Sequence, residues 1–407
     1  MYILLLYANA FEGLFPGINY WDEIVTIVFV LYFILRKHGK IRINNWNQWL
    51  GVLLLVLLGF MGNIVTPNIQ NSKIIIVKDI FAITKFFVIC LIAENFSITK
   101  SKKAKIISYL AMISRVLIVI TSVIAVIGYF IDIGVYTGEI RIVNCFKFIF
   151  SVPTFFVSSY VLMAAVLICE SIRKNRIILL IDCLLLFMAQ RTKGYVAILV
   201  ILMLVIFGEN KICSFFNKAL KNSKLTKTKL EMYCIGVIGC VLAYFLGKNK
   251  IQEYMMYGIY AARPALYMVG LRMICDFFPL GSGFGTFASS LSTESYSKIY
   301  SMYSIQNVLG LVEGNAIFAA DVFWPCIYGQ LGILGFFVYL KIIIGIIKNN
   351  IYCKISAQCK IAILFMWSYA LVASTSEAYF TNSSGVQFAF ILMMILGIKE
   401  KEENGYI

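Results

Sequence analysis

The chain has 407 residues, of which 61% are hydrophobic and only 14% are charged. Soluble globular chains are about 45–50% apolar and about 25% charged, so this composition excludes a water-soluble fold and indicates that the bilayer is the solvent. The formal net charge of +16 does not indicate a nucleic-acid partner, because no basic domain stands apart from the apolar runs.

Apolar runs long enough to form helices follow one another along the whole chain. They predict an all-α, polytopic integral membrane protein with about twelve transmembrane helices. The first run is short, and it lacks the basic start of a cleavable signal peptide, so we interpret it as a span. The runs are 1–15, 18–35, 49–66, 74–93, 106–131, 147–170, 176–190, 194–208, 231–247, 322–347, 361–376 and 384–398.

Basic residues occupy every second loop between these runs, which predicts that those loops and both termini are cytoplasmic. The basic loops are Arg36 to Arg42, Lys100 to Lys105, Arg173 to Arg176, the Lys-rich stretch 211–229 and Lys348 to Lys360. The opposite, outer side receives the acidic residues Glu12, Asp22, Glu23, Asp132, Glu139 and Glu377.

One outer loop, 248–320, is much longer than the others, and long ordered loops usually carry function. It divides the chain into an N-terminal transmembrane bundle (1–247), the outer loop (248–320) and C-terminal transmembrane helices (321–407). We expect short helices along the membrane surface in this loop. Its tyrosines suit either the headgroup layer or stacking on sugar; they are Tyr254, Tyr257, Tyr260, Tyr267, Tyr296, Tyr300 and Tyr303.

Neither a metal site nor a disulfide framework is expected. The eleven cysteines include no CxxC pair, and the single histidine, His38, lies in a basic loop. Most cysteines lie inside apolar runs, where we interpret them as small core residues.

Charged residues within or beside the spans are retained mainly when they are paired or functional. Lys78, Asp79 and Lys85 in the fourth run form either structural ion pairs or a functional group, and Arg115 lies close enough to its span end to reach water. The turn 188–194 carries Arg191 and Lys193 on the outer side, where cations are disfavoured. An anionic ligand would explain them, and so would a lipid headgroup.

The outer loop contains Arg263, Arg272 and Asp276, followed by glycines at 281, 283 and 285. These glycines do not form a dinucleotide fingerprint, which must follow a strand and open a helix. They indicate either a turn whose amides face an anion or a tight loop.

Three segments resemble the O-antigen and capsule polymerase family (Wzy-type) and the related O-antigen ligases. Gln190-Arg191-Thr192-Lys193-Gly194 is similar to the family's arginine turn. The stretch from Arg263 to Phe287 resembles its outer-loop pattern, which ends in Pro-Leu-Gly-x-Gly-x-Gly-x-Phe. Asp321-Val322-Phe323-Trp324 followed by Gly332-Ile333-Leu334-Gly335 resembles its closing pattern. The ligases present histidine and asparagine where this chain has Asp321-Val322, which favours the polymerase branch.

This resemblance implies a metal-independent glycosyltransferase without a cofactor, located in the bacterial cytoplasmic (inner) membrane. It would join undecaprenyl-pyrophosphate-linked oligosaccharide repeat units into O-antigen or capsule-type glycan at the outer face. Membrane lipids are further partners, together with a chain-length regulator and a flippase of the same pathway.

The predicted site residues divide into two groups, and all of them except Glu313 lie in the three matched segments. Arg191, Arg263 and Arg272 are the candidates for binding the departing pyrophosphate. Asp321 would be the base that accepts the proton of the attacking sugar hydroxyl. For Asp321 a helix N-cap is an open alternative. The predicted substrate-binding residues are Arg272, Lys193, Asp276, Gly281, Gly283, Gly285 and Glu313, with Asp276 and Glu313 as further candidate bases.

Two other functions remain open. A flippase or other transporter has a similar length and span count, and would use Lys78, Asp79 and Lys85 near mid-membrane. An O-antigen ligase would share the donor chemistry and differ in its acceptor.

Overall fold

The computed structural model describes residues 2–11, 20–36, 45–94, 100–140, 144–209, 211–214, 252–254, 256–353 and 355–396. Glu12, His38, the predicted span 231–247 and the C-terminal segment 397–407 lie outside these described residues. Over the described part the chain is all-α apart from one antiparallel two-stranded hairpin. The all-α prediction is therefore confirmed.

The elements follow in chain order: α1 (Tyr2–Tyr7), α2 (Trp21–Arg36), α3 (Trp46–Val65), α4 (Lys73–Ala93), α5 (Lys100–Phe130), β1 (Tyr136–Ile140), β2 (Asn144–Phe146), α6 (Pro153–Glu170), α7 (Ile172–Met188), α8 (Thr192–Phe207), α9 (Ala262–Asp276), α10 (Ser290–Glu294), α11 (Ile299–Met302), α12 (Trp324–Tyr352), α13 (Ala357–Ala373) and α14 (Ser383–Leu396). Two short 3₁₀ turns, Ala8–Ala10 and Gly258–Tyr260, precede the second and ninth helices.

Four of the helices are long and apolar enough to cross a membrane, namely α3, α5, α6 and α12. The shorter apolar helices α8, α13 and α14 accompany them. Several long apolar helices in one chain indicate a multi-pass membrane protein, while the number of about twelve spans stays a prediction.

The predicted first span, 1–15, is described over residues 2–11. Helix α1 has six residues, a length of about 9 Å at about 1.5 Å per residue, which is far short of a bilayer. Instead, Leu6 and Tyr7 are buried inside the bundle. Burial against other helices therefore accounts for part of the apolar pattern of this segment, while Ile3 and Leu4 are exposed.

Helix α6 lies at the centre of the bundle. It begins with Pro153 in its first turn, where the missing N–H costs nothing. Of its 18 residues, 83% are buried inside the bundle. It packs against α5, α7, α13 and α14. By contrast, only 28% of the residues in the apolar stretch of α3, and 33% of those in α5, are buried. Many apolar side chains of these two helices therefore face outwards, as lipid-facing helices require.

The outer loop is ordered against this bundle through α9, which packs on α12, and α10, which packs on α4. Helix α12 is interrupted at Gly332, whose φ of 64° and ψ of −169° are not helical. The glycine turn 281–285 lies against this interruption, because a Cβ on Gly281 would lie 2.3 Å from the backbone nitrogen of Gly332. The break in α12 thus makes room for the turn.

Charged contacts gather at two ends of the bundle. At one end, Arg115 donates to Glu170 and Asn175 at 2.8 Å each, between segments predicted to be cytoplasmic. The predicted outer loops meet at the other end, where Arg191 contacts Glu139 and Arg263 contacts Asp321. The loops therefore group as their alternating charge predicts, and the side of the membrane on which each group lies stays a prediction.

Candidate functional site

The turn between α7 and α8 presents two cations. Helix α7 ends at Met188 and α8 begins at Thr192, and Gln190 between them has a φ of 55° and is buried. Arg191 precedes α8 in an extended conformation, and its Nη2 donates to Glu139 Oε2 of β1 at 2.9 Å. The positive φ reverses the chain sharply, so Arg191 lies at the very end of the helix pair.

Lys193, in the first turn of α8, forms an ion pair with Glu377 from the turn between α13 and α14. Only 7% of the Lys193 side chain and 8% of the Glu377 side chain are exposed. Asn382 Nδ2 also donates to Glu377 Oε1 at 3.1 Å, which holds the carboxylate in place. A buried ion pair with such support binds the two helical hairpins together.

Arg263, near the start of α9, contacts Asp321 just ahead of α12. Its Nη2 donates to Asp321 Oδ2 at 3.0 Å, and its Nη1 donates to Tyr254 Oη at 2.9 Å. The N-cap of α12 is Phe323, and no side chain caps that end. The alternative role of Asp321 as a helix cap is therefore excluded.

These contacts belong to one cluster. The cations that act electrostatically on Asp321 are Arg263, Lys193 and Arg191, and Lys193 is in turn affected by both arginines. We call the six residues the outer ion cluster: Arg191, Lys193, Arg263, Glu139, Asp321 and Glu377. Its members come from five places that lie far apart in sequence: β1, the junction of α7 and α8, the start of α9, the segment before α12 and the turn between α13 and α14.

Burial sets the acidity of Asp321. Loss of solvent raises the pKa of its carboxyl above the ordinary value, and the guanidinium of Arg263, followed by Lys193 and Arg191, limits the rise. Asp321 therefore holds a proton at higher pH than a free aspartate does. A carboxylate with this property is suited to accept a proton from a hydroxyl group.

Two guanidinium N–H groups in the cluster lack an acceptor. The Nε atoms of Arg191 and Arg263 are buried, and neither has a hydrogen-bond partner within the described part of the chain. A buried donor without an acceptor costs about 1–3 kcal/mol, so such groups call for an explanation. Because both belong to arginines of one cluster, an anionic ligand between them would satisfy both donors.

The structure separates Arg272 and Asp276 from this cluster. Both are exposed on α9, and Arg272 lies nine residues, or about 13 Å, beyond Arg263 along the helix. Asp276 accepts a hydrogen bond from Tyr303 Oη at 2.6 Å. Glu313 is exposed in the turn closed by the bridge between Val312 and Asn315. These three predicted binding residues are not brought together with Arg191, Lys193, Arg263 and Asp321.

The glycine turn has its amides occupied by protein groups. The amides of 281 to 283 donate to backbone oxygens, that of Phe284 donates to Asn63 Oδ1 at 2.8 Å, and that of Gly285 donates to Asp79 Oδ2 at 2.8 Å. The tight-loop alternative describes this geometry, and the glycines serve close packing. A role of Gly281, Gly283 and Gly285 in substrate binding would have to come from loop shape.

The charged residues of the fourth predicted span are all paired. Lys78 Nζ contacts Glu294 at 2.6 Å, and the buried Asp79 accepts from the glycine turn. Lys85, only 2% exposed, contacts Asp22 at 2.5 Å and Glu23 at 3.1 Å on α2. These contacts correspond to the structural alternative for all three residues.

The outer-loop tyrosines divide by exposure. Tyr300 is buried with its ring 5.0 Å from that of Tyr296, and Tyr267 Oη donates to Thr375 O at 2.8 Å. Tyr257 and Tyr260 are 54% and 81% exposed. These two are the exposed tyrosines of the set, as either a headgroup layer or a sugar requires.

Three acidic residues gain importance only in the structure. Glu139 and Glu377 were assigned from sequence to outer loops, and an acidic loop residue gives no sign of its partner. Asp182 lies inside an apolar run of α7, fully buried, and neither carboxylate oxygen has a hydrogen-bond partner among the described residues. A charged residue in the middle of an apolar run marks a candidate functional position, so the sequence alone could have singled out Asp182.

No group of three or more His, Cys, Asp or Glu residues that could hold a metal ion occurs in the described ranges. No protein-family model matches the chain, and no curated protein matches its sequence. The resemblance to the polymerase family therefore rests on the three motifs and on the predicted many-span topology.

Proposed function

We propose that the protein is a polysaccharide polymerase that joins undecaprenyl-pyrophosphate-linked repeat units at the outer face of the cytoplasmic membrane. The observation that carries the proposal is the pair of buried Nε donors of Arg191 and Arg263 beside Asp321. Two guanidinium groups next to a carboxylate of raised pKa suit a reaction in which an anion leaves while a hydroxyl loses its proton. The motif resemblance assigns the same three residues.

The proposed reaction transfers a glycan between two lipid-linked units. The acceptor hydroxyl forms a bond to the anomeric carbon of the donor while the bond from that carbon to the pyrophosphate oxygen breaks. The proton passes to Asp321, and the electron pair leaves with undecaprenyl pyrophosphate. Arg191 and Arg263 stabilise the negative charge that grows on the departing oxygen, for which guanidinium forks are well matched.

The test is reconstitution of the purified protein in liposomes with lipid-linked repeat units. We expect a ladder of glycans of increasing repeat number, and at least a ~100-fold lower rate in Arg263→Ala, a loss typical of removing one stabilising donor. Arg176→Ala is the matched control, because Arg176 is an exposed arginine of α7 in the loop predicted to be cytoplasmic. An unchanged ladder in Arg263→Ala would contradict the proposal.

The same preparation separates the other two functions. A flippase moves the lipid-linked unit across the liposome bilayer and forms no ladder. A ligase transfers a glycan once to a different acceptor, so it yields a single product instead of a series.

A further inference from the structure

The three ion pairs of the outer ion cluster differ in exposure. The side chains of Lys193 and Glu377 are 7% and 8% exposed, and those of Arg263 and Asp321 are 33% and 32% exposed. Glu139 is the most accessible of the three carboxylates, with 44% of its side chain exposed, and its partner Arg191 is 21% exposed. Since returning a carboxylate to water is easiest where it is already partly hydrated, Glu139 is the partner that gives way most readily.

All three carboxylates belong to residues that make further contacts. Glu377 is held by Asn382, and the backbone N–H of Asp321 donates to Phe318 O at 3.1 Å. Glu139 lies on β1, where its backbone N–H donates to Thr137 Oγ1 at 3.3 Å. The base of the hairpin is firm, because Tyr136 Oη donates to Ala125 O at 2.8 Å. The backbone of Glu139 is therefore fixed beside Arg191, and it is the exposure of its side chain that distinguishes it from Asp321 and Glu377.

We propose that the Glu139 carboxylate occupies the anion-binding face of Arg191 in the ligand-free protein and is displaced by a phosphate or pyrophosphate group of the ligand. This inference rests on the proposed function, since it concerns the same site. Arg191 exchanges one acceptor for another, and Glu139 returns to water. The buried Nε of Arg191 gains the acceptor that it lacks.

The exchange has a consequence for specificity. A ligand carboxylate would replace Glu139 with an equivalent group and gain little. A pyrophosphate carries more charge and offers several oxygens, so it can accept from Arg191 and Arg263 together. An internal carboxylate on Arg191 thus favours multiply charged anions over singly charged ones.

The test measures binding of inorganic pyrophosphate to the purified full chain in detergent by titration calorimetry. In Glu139→Gln the amide competes for Arg191 more weakly than the carboxylate does, so we expect pyrophosphate to bind up to about fivefold more tightly, as an exposed ion pair allows. Asp132→Asn is the matched control. It removes one exposed carboxylate from the same outer segment, where the amide oxygen can still accept from the backbone N–H of Gly134.

Arg191→Gln and the double variant Glu139→Gln/Arg191→Gln identify the residue through which Glu139 acts. We expect equal pyrophosphate affinity in these two variants. Three results would each overturn the inference. Pyrophosphate could bind more tightly to the double variant than to Arg191→Gln, or more tightly to Asp132→Asn than to wild type. Glu139→Gln could also bind pyrophosphate no more tightly than wild type does. Failure of pyrophosphate to bind any variant would overturn the inference as well.

A parallel titration with undecaprenyl pyrophosphate distinguishes the source of the anion. Tighter binding than that of inorganic pyrophosphate identifies a lipid-linked ligand, and equal affinity identifies a free anion, while Glu139→Gln tightens both in either case. Binding does not require turnover, so tightening without any glycan ladder would support this inference and remove the polymerase function. A glycan ladder from wild type, with no tighter pyrophosphate binding in Glu139→Gln, would support the polymerase function and overturn this inference.

Discussion

Asp321 combines two opposing influences, because burial raises the pKa of its carboxyl while Arg263 and two further cations lower it. The hydrogen bond from Arg263 at 3.0 Å also fixes its orientation. Asparagine keeps an oxygen for that hydrogen bond and cannot accept a proton. We expect Asp321→Asn to reduce the rate of repeat-unit joining about 100- to 10,000-fold, measured from the glycan ladder. Near-normal polymer would remove Asp321 from the mechanism.

The pH dependence follows from the same residue. Below its pKa, Asp321 carries a proton and cannot accept another, so activity falls as the pH falls. Because burial raises this pKa, the acidic limb should lie at higher pH than that of an ordinary aspartate. Arg191→Gln removes a cation that lowers the pKa, so the limb of its residual activity should move to still higher pH. Initial rates against pH measure this, and a limb that stays in place or moves down would contradict it.

Sequence could assign Arg191, Lys193, Arg263 and Asp321 to a site because each belongs to a motif or stands against the charge pattern. The carboxylate partners of Arg191 and Lys193 could not be predicted from the sequence. Glu139 and Glu377 are ordinary acidic residues of outer loops, and only the packing of α13, α14 and the hairpin brings them to the cations. Pairing across separate loops is a property of the tertiary fold.

At the scale of elements, the glycine turn fills the space between α3 and the break in α12. Gly283 has a φ of 87°, and a Cβ there would lie 2.4 Å from the backbone nitrogen of Asn63. We expect Gly283→Ala to lower the free energy of unfolding by about 3 kcal/mol or more, from left-handed strain together with the clash. Apparent melting temperature in detergent measures the loss.

Gly314→Ala is the matched control for this substitution. Its φ of 77° is similar, and a Cβ there has nothing within 4 Å. It should cost only the conformational strain of about 1–2 kcal/mol. Equal melting temperatures for the two variants would mean that the close approach of Gly283 to α3 does not stabilise the fold.

The ion group of Lys85, Asp22 and Glu23 joins α2 to α4. Removing one partner of a buried pair costs about 3–5 kcal/mol, so Lys85→Met should destabilise the protein strongly. Lys85→Met/Asp22→Asn leaves no buried charge at Asp22, so it should recover part of the loss in a double-mutant cycle of melting temperatures. We also expect the double variant to form polymer. Loss of movement of the lipid-linked unit across the bilayer in that variant, at retained stability, would instead support the transporter function.

Most helices were predictable from sequence because long apolar runs leave few alternatives in a bilayer. Every predicted run other than 231–247, which lies outside the described residues, contains a described helix. Two features were harder to predict. Helix α1 is short and partly buried by other helices, and the hairpin of β1 and β2 is too short for a periodic pattern. Hydropathy records that a segment avoids water and does not record whether lipid or protein covers it.

At the scale of the whole molecule, the orientation of the bundle decides whether the outer ion cluster can meet lipid-linked glycans outside the cell. Cys275 offers a direct test, because it is the one cysteine of the described part that is exposed, and it lies on α9 of the long outer loop. A membrane-impermeant maleimide should label it in cells whose layers outside the cytoplasmic membrane have been removed and whose cytoplasmic membrane is intact. Cys275→Ser should lose this labelling, while permeabilisation should add labelling only at other cysteines. Labelling of Cys275 that requires permeabilisation would place α9 in the cytoplasm, and with it Arg263 and the whole cluster, where the proposed reaction could not occur.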